Sequence, residues 1–479
     1  MKYDIVLQKG RVVDPANGVD SVLDIGIKGG KIVEVGADLP ATEAAECFDL
    51  AGYIVIPGII DPHVHVSSWV GGRFGHRMMA LAGVTTAVDF SGPIDSVLEL
   101  ARDYGAGLNI ACLNYVRPGH TVATNDPSRE ELEKLLLDSL AQGAIGYKIL
   151  GGHYPLTPEA TARAIEVANE HRAYVAFHAG TLANGSNFNG FKEAVELAGK
   201  NRLHLAHINS YCRGRVKPVV EEAQEAIRIL AEHRHIVSES YLSPFNGTSS
   251  KVSGGVPESE VTRTCLEVGG FPPTEEGLAQ AIRAGWAQIN VEAGGLNKLA
   301  SGEEAVEYWR ARGTNGTVSF PVNPGESRYL LATARRHDGT FVVDALSTDG
   351  GGIPRNATVE LGLALVKWGA FTLADFVRKT STNAAAIFGL HGKGHLGPGA
   401  DADVTVLDWE RNKAYLAIAA GKLIMYRGAV VGQGATFITT AAGRRNVEAY
   451  GLKPLVIDLS TSGFYKTRQL AGRDGRTKA

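Results

Sequence analysis

The stretch IPGIIDPHVHV, residues 56–66, places His63 and His65 one residue apart in an apolar run. Side chains alternate between the two faces of a β-strand, so residues i and i+2 point to the same side. Neutral imidazole is a common ligand of zinc and similar metals. A strand here would aim both rings at one point, and the stretch therefore predicts part of a metal site.

Four further candidate ligands each lie near the carboxyl end of a later apolar run. They are Lys148 in AIGYKIL, His178 in AYVAFHAG, His207 in LHLAHINS and Asp349 in VVDALSTDGG. In a parallel barrel these strand ends meet at one face, so we expect the four residues to share a site with the histidine pair. His204 lies three residues before His207, and strand alternation predicts that it points to the opposite face.

Between about residue 57 and residue 390, apolar runs alternate with amphipathic helical stretches, which is typical of a parallel α/β domain. Eight runs qualify as strands, the number that a closed (β/α)8 TIM-like barrel requires. The candidate strands cover residues 54–66, 84–90, 108–115, 144–150, 173–178, 203–208, 235–241 and 343–349.

Both chain ends are rich in strand patterns instead, as in DIGIKGGKIVEVG near the start and KLIMYRGAVVGQG near the end. Because chain termini often lie close together, we expect one small β-sandwich domain built from both ends. The span at about 241–341 is too long for an ordinary loop and is predicted to be an insertion over the barrel mouth. The predicted organisation is 1–56 for the N-terminal part of the sandwich, 57–390 for the barrel, 391–445 for the C-terminal part of the sandwich and 446–479 for a tail that is either disordered or in contact with another subunit.

Composition excludes several classes of function. A net charge of −3 and a pI near 6.5 argue against nucleic-acid and anionic-membrane partners. The start MKYDIVLQKG lacks the pattern of a secretion signal, and no run approaches the roughly 18 apolar residues of a membrane span. The expected location is the cytoplasm, where the four scattered cysteines would be reduced.

Taken together, these motifs resemble the amidohydrolase superfamily. The resemblance rests on PGIIDPHVHV, on the later lysine, histidines and aspartate, and on STNAAAIFGLHGKGHLGPGADADVTVLD at residues 381–408, and it runs from Ile54 to Asp408. Within this superfamily, a lysine at the end of the fourth strand is a feature in which the sequence resembles the cyclic amidohydrolases, namely hydantoinases, dihydropyrimidinases, allantoinases and dihydroorotases. The resemblance implies hydrolysis of a C–N bond in a cyclic amide or imide.

The resemblance also implies two divalent metal ions bridged by a carboxylated lysine, with zinc expected and manganese, iron or nickel as alternatives. Burial beside cations favours the neutral amine of Lys148, which can add CO2 to become N6-carboxylysine. A bridging hydroxide would be the nucleophile and Asp349 the general acid and base. The expected ligands are His63, His65 and Asp349 for one ion, His178 and His207 for the other, and Lys148 for both.

Other side chains are expected to contact the substrate. GGHYP, residues 151–155, supplies Tyr154 as the preferred oxyanion stabiliser and His153 as the alternative. Arg213, Arg215 and Arg355 follow the sixth and eighth strands and are candidates for pairing with an anionic group of the substrate.

Two alternatives stay open beside the cyclic amide. A linear amide hydrolase, similar to isoaspartyl dipeptidases or N-acyl amino acid deacylases, would share the metal site, although the bridging cysteine of D-aminoacylase-like proteins does not appear. Ser67 stands where dihydroorotase-like sequences carry an arginine, which counts against dihydroorotate. The third possibility is a non-catalytic scaffold. A residue able to bind metal stands at every expected ligand position, which argues against a scaffold. The expected partners are a small-molecule amide and further copies of the chain, as a dimer or tetramer.

Overall fold

A computed structural model describes residues 1–466 of the chain. Both chain ends contribute strands to one nine-stranded sheet, in which β5 (Ile54–Pro57) pairs in parallel with β1 (Tyr3–Asp14) and antiparallel with β21 (Val404–Asp408). Apolar side chains from both ends share one core, which confirms the predicted small β-domain. Its strands are β1 (Tyr3–Asp14), β2 (Val19–Lys28), β3 (Lys31–Gly36), β4 (Ala44–Asp49), β5 (Ile54–Pro57), β21 (Val404–Asp408), β22 (Lys413–Ala419), β23 (Lys422–Tyr426) and β24 (Ala429–Val430).

The middle of the chain forms the predicted barrel of parallel strands. The eighth strand is broken into two segments, one pairing with the seventh strand and the other with the first, so that it closes the ring. The strands are β6 (Ile59–His65), β7 (Val84–Asp89), β8 (Ala106–Val116), β9 (Gly146–Leu150), β10 (Tyr174–His178), β11 (Leu203–Leu205), β12 (Ile236–Tyr241), and the two segments β19 (Ala345–Ser347) and β20 (Gly350–Gly351).

Three predicted strands differ at their ends. The run 54–66 divides at Gly58 into β5 of the small domain and β6 of the barrel, and a Cβ on Gly58 would lie 2.2 Å from Thr85 Oγ1. The sixth strand stops before His207, which has a left-handed φ of +36°. The eighth is interrupted at Asp349, where φ is +49°. Two predicted metal ligands therefore lie in irregular backbone: His207 lies just beyond the end of its strand, and Asp349 lies within the break in its strand.

Helices cover the outside of the barrel, and their caps follow from sequence. Ser128 accepts a hydrogen bond from the Glu131 N–H at the start of α3 (Arg129–Gln142), and Thr157 accepts one from the Ala160 N–H at the start of α4 (Pro158–Glu170). The helices between barrel strands are α1 (Gly75–Leu81), α2 (Ile94–Tyr104), α3 (Arg129–Gln142), α4 (Pro158–Glu170), α5 (Phe188–Ala198) and α6 (Val219–Glu232), followed after the insertion by α11 (Thr358–Lys367), α12 (Leu373–Val377) and α13 (Asn383–Phe388).

The insertion between β12 and β19 has its own sheet, ordered β13-β18-β16-β17, and its own apolar core around the fully buried Trp309. A side chain of its β16–β17 hairpin, Asn297, reaches the barrel rim. The elements are β13 (Asn246–Ser249), β14 (Val252–Ser253), β15 (Val256–Pro257), α7 (Glu260–Val268), α8 (Glu275–Arg283), β16 (Gln288–Ala293), β17 (Leu296–Ala300), α9 (Glu303–Ala311), β18 (Thr317–Phe320) and α10 (Gly325–Thr333).

The last described segment packs against the barrel. Strand β25 (Gly434–Thr439), which falls in the range predicted for the sandwich, pairs instead with β8 of the barrel and with β26 (Lys453–Val456), while α14 (Arg444–Ala449) lies between β25 and β26. Within the predicted tail, Phe464 is buried and stacks on Tyr174. Residues 467–479 of that tail prediction lie outside the described residues. Among residues 1–466, the helices are all too short or too polar to cross a bilayer.

Candidate metal and active site

Three predicted ligands meet where β6 and the eighth strand run side by side. Asp349 Oδ1 lies 2.8 Å from His65 Nε2 and 3.3 Å from His63 Nε2. The two imidazole rings have centroids 5.2 Å apart, as expected for residues i and i+2 on one strand. The three side chains could hold one metal ion, because one ligand atom of each lies within 4.8 Å of the other two.

Lys148 reaches the same cluster from β9. Its Nζ lies 2.9 Å from His63 Nε2, and the residue is only 2% exposed. Burial lowers the pKa of the Lys148 amine to about 8, because the ammonium form loses its hydration. Lys148, predicted near the carboxyl end of the fourth strand, is the central residue of β9, and its side chain faces inward and does not extend to solvent.

The remaining two predicted ligands form a second pair. His178 Nδ1 and His207 Nε2 lie 3.2 Å apart, and the rings of His207 and His63 have centroids 5.3 Å apart. Burial keeps the pKa of His178 well below its ordinary value and lowers the pKa of His207 to about 3. Both imidazoles are consequently neutral at physiological pH, which is the form that binds a metal.

Hydrogen bonds to the outer nitrogens select which nitrogen faces the cluster. His63 Nδ1 lies 2.8 Å from Glu239 Oε1, which leaves the Nε2 lone pair directed toward Lys148 and Asp349. His178 Nε2 lies 2.9 Å from Ser186 Oγ, which leaves Nδ1 directed toward His207. Metal-binding histidines typically form such a hydrogen bond through the ring nitrogen that does not bind the metal. The nitrogen and carboxylate donors thus fit a pair of divalent cations.

Asp349 is also held from the other side by an arginine. Arg355 Nη2 lies 2.8 Å from Asp349 Oδ2, and the arginine side chain is 2% exposed. Burial alone would raise the pKa of Asp349, but the Arg355 guanidinium and the neighbouring imidazoles outweigh it and hold that pKa well below the ordinary value. Arg355, predicted to bind substrate, is therefore already engaged by the carboxylate.

Glu239, in the middle of β12, has a central place that the sequence patterns did not reveal. Besides His63, its carboxylate accepts hydrogen bonds from the His207 N–H at 2.6 Å and from the Ser347 hydroxyl. The residue is fully buried, and burial raises its pKa to about 8. The only signal in the sequence is an ionisable residue within the otherwise uncharged run IVSESY.

Two further differences concern the barrel interior. His204 does not point away from the site: it is fully buried, and its Nε2 lies 3.9 Å from Glu239 Oε1. Strand alternation fails here because His207 lies beyond the strand in a left-handed conformation. Asp61, part of the opening motif, accepts hydrogen bonds from the Thr348 hydroxyl and from the His63 N–H, and so fixes β6 against the eighth strand.

The predicted oxyanion residues have different surroundings. The His153 ring has its centroid 5.2 Å from that of His178, beside the second ligand pair. The Tyr154 ring lies instead 4.3 Å from the Arg117 guanidinium. The structure therefore brings His153, the alternative, next to the ligands and directs Tyr154 to an arginine on a neighbouring loop.

The two arginines after the sixth strand also differ. Arg213 is half-buried, and its Nε donates to Asn323 Oδ1 at 2.9 Å while its Nη2 lies 3.5 Å from the Tyr241 hydroxyl. The Tyr241 ring in turn has its centroid 6.4 Å from that of His207, so Arg213 lies on the side of the cluster where His207 is found. Arg215 is exposed on the same loop. Among residues 1–466, neither arginine forms an ion pair with a carboxylate.

Residues 54–432 match the model described as the Amidohydrolase family. The chain is similar to a dihydroorotase of Geobacter metallireducens, with 24% identity over 459 residues that cover 88% of this chain and 92% of the relative. It is also similar to an N-acyl-D-glutamate deacylase of Alcaligenes xylosoxydans xylosoxydans, with 25% identity over 464 residues that cover 85% of this chain and 88% of the relative.

Two solved structures share the fold. One is a D-aminoacylase with a binuclear metal centre, with a TM-score of 0.64 and 18% identity, covering 90% of this chain and 99% of that chain. The other is a dihydropyrimidinase from Brevibacillus agri NCHU1002, with a TM-score of 0.61 and 19% identity, covering 91% of this chain and 99% of that chain. At these identities the likeness shows the fold alone.

Proposed function

The chain belongs to the amidohydrolase family, and from this premise we propose that it hydrolyses the C–N bond of a cyclic amide or imide with two divalent metal ions. One observation supports the proposal above all others: six side chains from five barrel strands and their ends converge in one buried cluster. A dihydroorotase among the relatives supports the cyclic substrate. The lysine of the fourth strand is also a feature in which the chain resembles the cyclic amidohydrolases.

In this proposal His63, His65 and Asp349 would hold the first ion, and His178 and His207 would hold the second. Carboxylated Lys148 would supply oxygen ligands to the metal pair. The carbamate forms when the neutral amine attacks CO2 and loses a proton, and the low pKa of the buried amine favours this step. When bound, the metal pair lowers the pKa of a water molecule and polarises the amide carbonyl. Zinc suits this donor set, as do manganese, iron and nickel.

Asp349 moves the proton in the proposed reaction. Its Oδ1 lies among the ligand atoms, where it accepts a proton from the attacking water and later returns it to the leaving nitrogen. Arg355 holds the other carboxylate oxygen and so fixes the orientation of Asp349. His153, beside His178, donates a hydrogen bond to the developing oxyanion.

Arg213 is the proposed anchor for an anionic group of the substrate. It is half-buried near His207, whereas Arg355 is engaged by Asp349 and Arg215 is exposed. Asn323 and Tyr241 hold the Arg213 side chain in place. A guanidinium in a fixed orientation recognises a carboxylate through paired hydrogen bonds. This arrangement favours amides that also carry a carboxylate.

A substrate panel tests the proposal. Purified protein reconstituted with zinc and bicarbonate is assayed on hydantoin, dihydrouracil, allantoin, dihydroorotate and N-acetyl amino acids, with Lys148→Ala as the inactive control. We expect turnover of at least one ring compound and none by the control. Turnover of N-acyl compounds alone would support the alternative of a linear amide hydrolase, which the similarity to an N-acyl-D-glutamate deacylase also favours. A protein that retains no metal after reconstitution and turns over none of these compounds would support the alternative of a non-catalytic scaffold.

We also propose a cytoplasmic location and, from the resemblance, a homo-oligomer that is a dimer or tetramer. Light scattering on the purified full chain measures the mass of the assembly, and cell fractionation tests the location. A monomer at micromolar concentration would contradict the proposed oligomer, and recovery outside the cytoplasm would contradict the proposed location.

A further inference from the structure

The insertion touches the barrel rim at a point directly connected to two proposed metal ligands. The Asn297 side-chain amide on β17 donates to the Gly71 carbonyl at 2.8 Å and to the Gly352 carbonyl at 2.6 Å. Gly71 lies in the loop that follows His65, and Gly352 lies three residues after Asp349. A single amide group thus joins the two loops that lead out of the ligand cluster.

The two glycines pack directly on the backbone of the ligands. A Cβ on Gly71 would lie 2.1 Å from the His65 carbonyl oxygen, and a Cβ on Gly352 would lie 2.0 Å from the Gly71 carbonyl oxygen. The Gly352 N–H donates to the His65 carbonyl at 2.9 Å, and the Asp349 N–H donates to the His63 carbonyl at 3.0 Å. Side chains are excluded here, so the backbones of both loops are in contact and expose their carbonyl groups to Asn297.

These contacts leave Asn297 little freedom. Both donor hydrogens of an asparagine amide are used when its nitrogen bonds two carbonyl oxygens. The hairpin that carries Asn297 is also tied to the rim by an ion pair, Arg73 with Glu292 at 2.7 Å, but this pair is exposed and contributes little. Within this hairpin, the directed contact with the ligand loops is therefore the pair of hydrogen bonds from Asn297; elsewhere in the insertion, the Phe245 carbonyl accepts a hydrogen bond from Arg355 Nη1 at 3.4 Å.

We infer that Asn297 is a positioning residue: the insertion clamps the loops after His65 and Asp349 together and so holds the first metal site in its binding geometry. The inference rests on the proposed function, because it assigns a purpose to the geometry of the metal ligands. Outer contacts that orient metal ligands typically change metal affinity by about 10- to 100-fold. Asn297 acts through backbone carbonyls, so we place its effect at the lower end, about tenfold.

The test compares Asn297→Ala and Asn297→Asp with Glu292→Ala, which loosens the same hairpin without touching the carbonyls. Zinc affinity of each full-length protein is measured by competition with a chromophoric chelator, and amide hydrogen exchange is followed in peptides around Gly71 and Gly352. We expect about tenfold weaker zinc binding and faster exchange at both loops for Asn297→Ala. Asn297→Asp should bind zinc at least as weakly as Asn297→Ala, because its carboxylate repels the two carbonyl oxygens. Glu292→Ala should stay within twofold of the wild type.

Two results would overturn the clamp: wild-type zinc affinity in Asn297→Ala, or an equal loss in Glu292→Ala, which would mean that docking of the hairpin matters and the carbonyl contacts do not. Peptides from the core around Trp309 serve as the internal control, since their exchange should not change. If the wild-type protein binds no metal, the proposed function fails, while the exchange measurement still decides the clamp. In that case unchanged exchange at both loops in Asn297→Ala would overturn it.

Discussion

Replacing Glu239 by glutamine isolates the effect of one buried negative charge on the metal site. Glu239 Oε1 accepts from His63 Nδ1 at 2.8 Å and from the His207 N–H at 2.6 Å, and Oε2 accepts from the Ser347 hydroxyl. A glutamine with its oxygen in the Oε1 position keeps the first two hydrogen bonds, and its amide can donate to the Ser347 oxygen. Zinc affinity is compared at pH 9, above the pKa of about 8 of Glu239, so that the wild-type carboxylate is ionised; the substitution then retains the shape and removes the charge.

The size of the effect follows from those bonds. A hydrogen bond to a charged group contributes about 1.5–3 kcal/mol and a neutral one about 0.5–1.5 kcal/mol, so each of the two bonds weakens by about 1 kcal/mol. Together they amount to about 2 kcal/mol, and 1.4 kcal/mol corresponds to about tenfold in affinity. We therefore expect Glu239→Gln to bind zinc about 10- to 100-fold more weakly, because His63 becomes a poorer ligand and the His207 backbone is held less firmly.

The assay is competition for zinc between metal-free protein and a chromophoric chelator, with thermal unfolding measured in parallel. Asp24→Asn is the matched control: Asp24 is a buried carboxylate of the small β-domain that accepts the Lys9 N–H at 2.7 Å and the Leu39 N–H at 2.8 Å. The control should lose stability without losing zinc affinity. Zinc affinity within twofold of the wild type in Glu239→Gln, or an equal loss in Asp24→Asn, would refute the reasoning.

Three further predictions concern Lys148, Asp349 and Arg213. Because burial lowers the pKa of the Lys148 amine to about 8 and only the neutral amine adds CO2, reactivation of metal-free protein at fixed dissolved CO2 should accelerate about tenfold from pH 7 to pH 9 and then level off. A rate that keeps rising through pH 10 would indicate an amine of ordinary pKa. Asp349→Asn should lower kcat by about 10²- to 10⁴-fold, and it should also lower thermal stability because the buried Arg355 loses its charged partner; retained turnover would point to another base. Arg213→Met should raise KM about 10- to 100-fold for a carboxylate-bearing substrate and leave its neutral amide analogue within twofold; equal effects on both would exclude anion recognition.

That the six predicted ligands lie close together could be predicted from the sequence, because two simple rules apply to them. Period-two alternation puts His63 and His65 on one side of β6, and parallel strands of a barrel end at one face, so Lys148 and His178 arrive at the same place. Neither rule needs knowledge of side-chain packing. The fold class followed from the same regularities, since eight strand-like runs separated by helices specify a ring.

The features that the sequence did not predict depend on long-range contacts. Glu239 looks like any polar residue in a strand, and its role appears only when β12 lies beside the sixth and eighth strands. His207 has a left-handed backbone, to which strand alternation does not apply, and this is why His204 was predicted on the wrong side. The contact of Asn297 with Gly71 joins residues 226 positions apart, and no local pattern marks such a pair.

Charge balance in the cluster ties carboxylation of Lys148 to metal binding. In the absence of cations, the negative charge of Asp349 is already matched by Arg355, and burial pushes both Lys148 and Glu239 toward their neutral forms. Converting the neutral amine to a carbamate adds an anion to a site that is almost completely buried, and an uncompensated charge there is costly. Two divalent cations supply the compensation, while four neutral imidazoles alone bring no charge to hold them. Carbamate and metals therefore stabilise each other, and neither is expected to persist in this site without the other.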